Sequence, residues 1–182
     1  MGYPGQKFSL CILITIILVS ASIGVTEPGR AMFRAILFIP EILPNAPIRP
    51  QKWFVDDPSR QEVRFPFAGA EAIGDLYLPA DDGRHPAVIL FLGVAPAERD
   101  DPRVTNLATG LARSKMAVFI PWSEVMMTSR RLDPEAVDLL VEGFQYLEQH
   151  PSIDPKRIGI GGFCVGASFA ALAAEDERIR DK

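Results

Sequence analysis

The stretch Gly161 to Ser168, GGFCVGAS, places a thiol at Cys164 between two glycines, Gly162 and Gly166, at −2 and +2. Three kinds of chemistry compete for this pattern. The first is phosphate binding: Gly161 and Gly166 have the G-x-x-x-x-G spacing, and Ser168 stands at the position of a magnesium hydroxyl. Ala167 occupies the place where such a loop needs lysine, so the contact to the β/γ-phosphates is missing. Gly159, Gly161 and Gly162 also fail the G-x-G-x-x-G spacing of a dinucleotide fingerprint. The second reading is a packed thiol, since free cysteine often behaves as a small buried hydrophobe. The third is a nucleophile elbow, G-x-nucleophile-x-G. There the strand-to-helix turn is so sharp that the nucleophile is strained and its neighbours two residues away must be small. The flanking glycines favour this third reading. It makes Cys164 the nucleophile and the amide of Val165 one oxyanion donor. The remainder of the oxyanion site then falls to the end of the Ala87–Leu92 strand and the loop after it, at Phe91, Gly93, Val94 and Ala95. The N-terminus of the following helix would stabilise negative charge at the thiol.

An elbow needs a parallel sheet to stand on, and the chain supplies one. Val63, Phe65 and Phe67 alternate with other residues as a half-buried strand does, and Glu71–Leu78 is a second strand able to pair with it as a hairpin. Ala87–Leu92 (AVILFL) and Met116–Ile120 (MAVFI) are continuous apolar runs, as strands covered on both faces require. Pro102–Lys115 reads as a helix with Val104, Leu107, Leu111 and Ala112 on one face. A second helix begins near Leu132, with Asp133 as N-cap and Pro134 in its first turn, and carries the stripe Val137, Leu140, Val141, Phe144 and Leu147. Arg157–Gly161 is the strand before the elbow and Val165–Ala174 the helix after it. Alternating strands and helices predict an α/β fold, a mostly parallel sheet with helices on both faces.

The first sixty residues are different. Phe8 to Val25 is eighteen residues without a charge, long enough to span a bilayer. A cleaved secretory signal is the alternative, with Ser22-Ile23-Gly24 as its cleavage site. Ala31–Pro44 is a second apolar stretch, too short to span and expected to be broken at Pro40. It reads equally as a segment at the membrane surface or as an arm packed on the protein. Arg30 and Arg34 after the first segment, against Lys7 before it, favour a cytoplasmic location for the remainder of a single-pass membrane protein. Cleavage would instead make the protein secreted. Pro44–Pro50 reads as an extended linker. The expected division is residues 1–29 as anchor or signal, 30–59 as amphipathic and Pro-rich linker, and 60–182 as the α/β domain.

Charge excludes some functions. Residues 1–52 carry five Lys/Arg and two Asp/Glu, and residues 53–182 carry fourteen and twenty-one, so the globular part is acidic and no nucleic-acid partner is expected. Cys11 and Cys164, the two cysteines, form neither a disulfide framework nor a zinc pattern.

Taken together, Tyr146-Leu147, His150-Pro151, Asp154-Pro155, Arg157-Ile158-Gly159 and Gly162-Phe163-Cys164-Val165-Gly166 resemble the dienelactone hydrolases of the α/β-hydrolase superfamily. Phe91–Val94, the strand ending Ile120-Pro121 and the helix at Asp133 add to the resemblance, which covers about residues 60–182. It implies hydrolysis of a small-molecule carboxylic ester or lactone through an acyl-cysteine, without metal or organic cofactor. It also implies an acid and a histidine after the nucleophile, and this sequence departs from that. No histidine follows Cys164, His85 and His150 both precede it, and the acids that follow are Glu175, Asp176, Glu177 and Asp181. The expectation is therefore a hydrolase domain whose last strands, triad Asp and triad His are absent. The rival is a catalytically inactive, membrane-tethered binding module on the same fold. The family's pocket glutamate and substrate-binding arginine would align with Leu90 and Met126, with Arg130 and Arg131 only nearby, so a dienelactone substrate is not implied. Trp122, Ser123 and Glu124 are candidates to line the pocket.

Overall fold

The computed structural model describes residues 26–43, 45–94 and 99–182. Five strands, β1 (Ser59–Phe67), β2 (Ala70–Leu78), β3 (His85–Phe91), β4 (Ala117–Pro121) and β5 (Ile153–Gly162), form one sheet in the order β1-β2-β4-β3-β5. β1 and β2 are the expected hairpin, closed by Ala68 and Gly69, both at positive φ as a tight hairpin turn demands. β3 runs parallel to β4 and to β5, whereas β2 meets β4 antiparallel. The sheet is thus mixed rather than mostly parallel, because the hairpin adds its second strand directly to the parallel core.

Helices cover both faces, and period-two alternation in the strands explains how. Leu76, Ile89, Phe91 and Phe119 point to the face packed by α4 (Ala136–Gln149) and α5 (Val165–Ala174). Tyr77, Val118 and Ile120 point to the other, against Val104, Ala108 and Ala112 of α2 (Pro102–Arg113). Phe119 is fully buried and meets Phe65 edge-to-face at 5.4 Å. Burial of each such ring contributes roughly 1.5–3 kcal/mol. Asp101 caps α2, its carboxylate accepting from the Arg103 amide at 2.8 Å. A single turn, α3 (Glu124–Met127), follows β4.

Two helix boundaries differ from expectation. α4 begins at Ala136, not at Asp133. Asp133 instead closes a tight turn, accepting the Glu135 amide at 3.1 Å on its side chain and the Ala136 amide at 3.1 Å on its carbonyl. The second correction concerns Pro40, which does not end its helix: α1 runs from Glu27 to Ile42 through it. Pro40 lies so near the end that one intrahelical bond is lost, and Arg49 donates to the Glu41 carbonyl at 2.8 Å from outside.

α1 is a packed arm. Glu41 is fully buried, and its carboxylate accepts from Arg113 at 2.8 Å and from the Gln51 amide at 3.1 Å. Arg113 also donates to Asp57. Phe38 and the Glu41 β-carbon sit over Gly110 of α2. The stretch expected to be an extended linker, Pro44–Pro50, runs into a 3₁₀ turn, Pro50–Trp53, held to this arm through Gln51. Among the described residues no helix is long and apolar enough to cross a membrane. Residues 8–25, where a spanning or signal segment is expected, lie outside the described residues, as does Ala95.

Candidate active site

The elbow begins as β5 ends. Cys164 stands between Gly162, the last residue of β5, and Val165, the first of α5, with φ 53° and ψ −127°. A cysteine gains nothing intrinsically from that region, and holding it there costs about 1–3 kcal/mol. The surroundings impose it through contacts between backbones. A β-carbon on Gly162 would collide with the Gly166 carbonyl and lie 2.7 Å from the Ala167 nitrogen. One on Gly166 would lie 2.8 Å from the Gly93 nitrogen, and one on Gly93, itself at φ 67°, would lie 2.6 Å from the Gly166 nitrogen. Three chain segments therefore touch through atoms that only glycine leaves bare. Gly162→Ala is expected to cost about 1–3 kcal/mol, seen as a fall in Tm of roughly 2–4 °C per kcal/mol. Gly159→Ala, with nothing within 4 Å of the added carbon, is the control and should leave Tm nearly unchanged. Equal losses in the two variants would refute the packing argument.

The thiol is exposed, and it is the free cysteine of the described residues. Of the first three amides of α5, Gly166 donates to the Phe163 carbonyl at 2.8 Å and Ala167 to the Cys164 carbonyl at 3.1 Å. The Val165 amide has no such carbonyl partner among the described residues, as the first amide of a helix ordinarily lacks one. Phe91 is the last residue of β3. Its carbonyl accepts the Phe163 amide at 3.0 Å, and its buried ring meets Phe169 at 6.2 Å, so it braces the elbow from β3. Gly93 abuts Gly166, and Val94 follows it, packed on the core.

Neither histidine shares this edge. His85 begins β3 and is buried, its amide bonded to the Ser152 carbonyl at 2.9 Å and Nε2 lying 3.3 Å from the Asp81 carbonyl. Six strand residues separate it from Phe91, roughly 20 Å at the usual rise. His150 ends α4, accepts the Ser152 amide on Nδ1 at 3.3 Å, and is held below its ordinary pKa by burial. Both are placed where β3 and β5 begin, whereas Cys164 is placed where β5 ends. The acids after the elbow are also remote: Glu175 caps the far end of α5, about 15 Å along the helix. Asp176 is paired with Arg178 at 2.8 Å.

A cavity of about 790 Å³ opens beside the end of β4, with no elbow residue among the described residues of its wall. Its wall includes Trp122, Ser123 and Glu124 after β4, together with Arg99 and Arg130. Two strand spacings separate the ends of β4 and β5, about 10 Å. Ser123 is itself a structural hydroxyl: it donates to Asp133 at 2.8 Å and accepts the Met126 amide at 3.3 Å. Leu90 packs within the α2-side core and Met126 is fully buried, so neither offers a polar contact.

Sequence reasoning missed Asp75. This buried carboxylate of β2 accepts from Arg99 at 2.7 and 3.1 Å, from Arg60 at 3.1 and 3.3 Å and from the Trp122 indole at 2.9 Å. It thereby ties the loop after β3 and the residue after β4 to the hairpin. The signal was present as one charge inside the otherwise uncharged strand half IGDLYL. Burial alone would raise its pKa, but the hydrogen bonds from Arg99, Arg60 and Trp122 outweigh it and hold the carboxyl below its usual range. A depressed folded pKa gives stability that is full above the unfolded value and lost as pH falls through the folded one. Tm should therefore decline below about pH 4, and Asp75→Asn should lower Tm at neutral pH while flattening that acid limb. An unchanged acid limb would show that other carboxyls govern it.

Residues 122–180 match the model of the Dienelactone hydrolase family. A curated relative, the probable 2-oxo-3-(5-oxofuran-2-ylidene)propanoate lactonase of Bradyrhizobium sp, is 31% identical over 62% of this chain and 50% of its own length. Among solved structures, esterase Est22 superposes with a TM-score of 0.60 at 17% identity, covering 87% of this chain and 48% of that one. The dienelactone hydrolase-like promiscuous phosphotriesterase P91 from metagenomic libraries gives 0.54 at 15% identity, covering 65% and 54%. The chain spans about half the length of these relatives. The structural likenesses carry the fold, and the family match across the elbow together with the lactonase relative bears out the resemblance of this chain to the dienelactone hydrolases.

Proposed function

We propose that this domain cleaves carboxylic ester or lactone bonds with Cys164 as nucleophile. The observation that carries the reading is the strained backbone of Cys164, held at the strand-to-helix turn by glycine contacts from three segments. Strain of this kind at an exposed thiol serves no packing purpose. In the proposed step the thiolate attacks the acyl carbon and the carbonyl electrons move to oxygen. That oxyanion is met by the Val165 amide and by the Gly93-Val94 loop. Collapse expels the alkoxide, which takes a proton, and leaves a thioester on Cys164; water then releases the acid. The cavity beside Trp122 would hold the acyl or alcohol portion. Residues 8–25 would tether the domain to a membrane, with the catalytic side cytoplasmic.

One observation favours the second reading, an inactive binding module on the same fold. Among the described residues, no imidazole stands on the edge of the sheet where Cys164 lies. Mass spectrometry after exposure to p-nitrophenyl acetate separates the two readings. An acetyl group on Cys164 in the folded chain, formed faster than in the denatured chain, supports the nucleophile. Equal labelling in both supports the module.

A further inference from the structure

α1 has two opposite faces, and the protein covers one of them toward its C-terminal end and leaves the other bare. Phe38 and Glu41 pack on Gly110 of α2. Met32, Ile36, Ile39 and Leu43 are spaced by four, three and four residues. At about 100° per residue they fall within one stripe, on the side of the helix opposite Glu41. Their exposures are 55%, 57%, 52% and 50%. An ordinary surface helix shows only its polar face to solvent; this one shows its apolar stripe as well, with Arg30 and Arg34 exposed on the other side. Beyond its C-terminal turn, Trp53 and Phe54 are exposed at 69% and 70%, a few residues from the Gln51–Glu41 bond.

The chain itself indicates what covers the stripe. The uncharged residues 8–25 end immediately before Thr26, the residue that caps α1 through a 3.2 Å bond to the Gly29 amide. If that segment enters a bilayer, no linker separates it from the helix, so α1 must start at the lipid surface. A helix there with one apolar stripe lies flat, its apolar side among the acyl chains. Exposed Trp and Phe are the residues that partition into the same zone. Glu41 and Arg113 fix the other side to the sheet, so the contact would also orient the domain.

We propose that the Met32–Ile36–Ile39–Leu43 face of α1 lies in the interface of a lipid bilayer, making α1 a rigid bracket between membrane and catalytic domain. This rests on the tether proposed for residues 8–25. The test uses the full chain with Cys11 and Cys164 replaced by serine and a nitroxide on Ile36→Cys, Ile39→Cys or Arg34→Cys, bound to phosphatidylcholine vesicles and recovered by flotation. The expected result is loss of accessibility to a water-soluble nickel chelate at 36 and 39, with accessibility kept at 34 on the opposite side of the helix. Vesicle-bound protein whose three nitroxides all remain accessible to nickel overturns the bracket and leaves the tether standing. Protection at 36 and 39 without vesicles, with spin–spin broadening that grows with protein concentration, also overturns it, because a second copy then covers the stripe. Failure of the full chain to float removes the tether and the proposal with it. Ile36→Ser with Ile39→Ser should still float, while the bilayer's protection of a nitroxide at Met32→Cys from nickel is lost.

Discussion

Cys164→Ala is expected to abolish transfer of the acetyl group from p-nitrophenyl acetate to the folded chain, while the unsubstituted chain accumulates an acetyl-cysteine. The thiol is exposed, its backbone is strained at φ 53°, and the Val165 amide beside it is without a carbonyl partner among the described residues. These features favour acylation. Deacylation is different, because water must lose a proton as it attacks. Positioned general bases contribute about 10²- to 10⁴-fold to such steps, and both His85 and His150 are roughly 20 Å or more away by strand geometry. The adduct should therefore persist, and imidazole added to the solution should speed its loss. Rapid turnover without added imidazole would show that a base reaches the elbow after all. An acetyl group found on lysines and not on Cys164 would end the nucleophile assignment.

Glu41→Ala is expected to release α1 from the domain. It removes one partner of a fully buried ion pair and leaves Arg113, 5% exposed, with Asp57 at the surface as its remaining ion-pair partner among the described residues. Breaking a buried pair from one side costs about 3–5 kcal/mol, and the lower end applies because Asp57 remains. Hydrogen exchange should report the loss as faster exchange across Glu27–Ile42, and Tm should fall by about 2–4 °C per kcal/mol if the release is global. Replacing both partners, Glu41→Met with Arg113→Met, should recover most of the loss, since an apolar pair leaves no charge stranded. Equal exchange in wild type and Glu41→Ala would show that packing of Phe38 on Gly110 suffices.

Much of the architecture was legible because strand and helix periods are local. AVILFL and MAVFI announced strands covered on both faces, and the stripe Val137–Leu147 announced α4. The elbow was legible for a related reason: a turn that tolerates only glycine at two fixed positions leaves its mark in the sequence. The misreadings came where distant groups decided local structure. Pro40 stays helical because Arg49 supplies a donor at the helix end, and Asp133 turns the chain instead of capping α4 because Ser123 and two amides compete for it.

The sequence by itself determined the α/β order, the hairpin, the elbow around Cys164 and the lack of a histidine after it. Each follows from residues adjacent or periodically spaced along the chain. The tertiary structure decided what spacing cannot encode. It set the order β1-β2-β4-β3-β5 and ran β3 parallel to β5, and that shared direction puts both histidines at the edge away from the thiol. It joined Asp75 to Arg99 and Trp122 across three segments, and it turned α1 so that Glu41 faces inward and the apolar stripe outward. A charge or an apolar side chain has no fixed worth along a sequence. Its energy depends on which distant partner, or which solvent, folding brings against it.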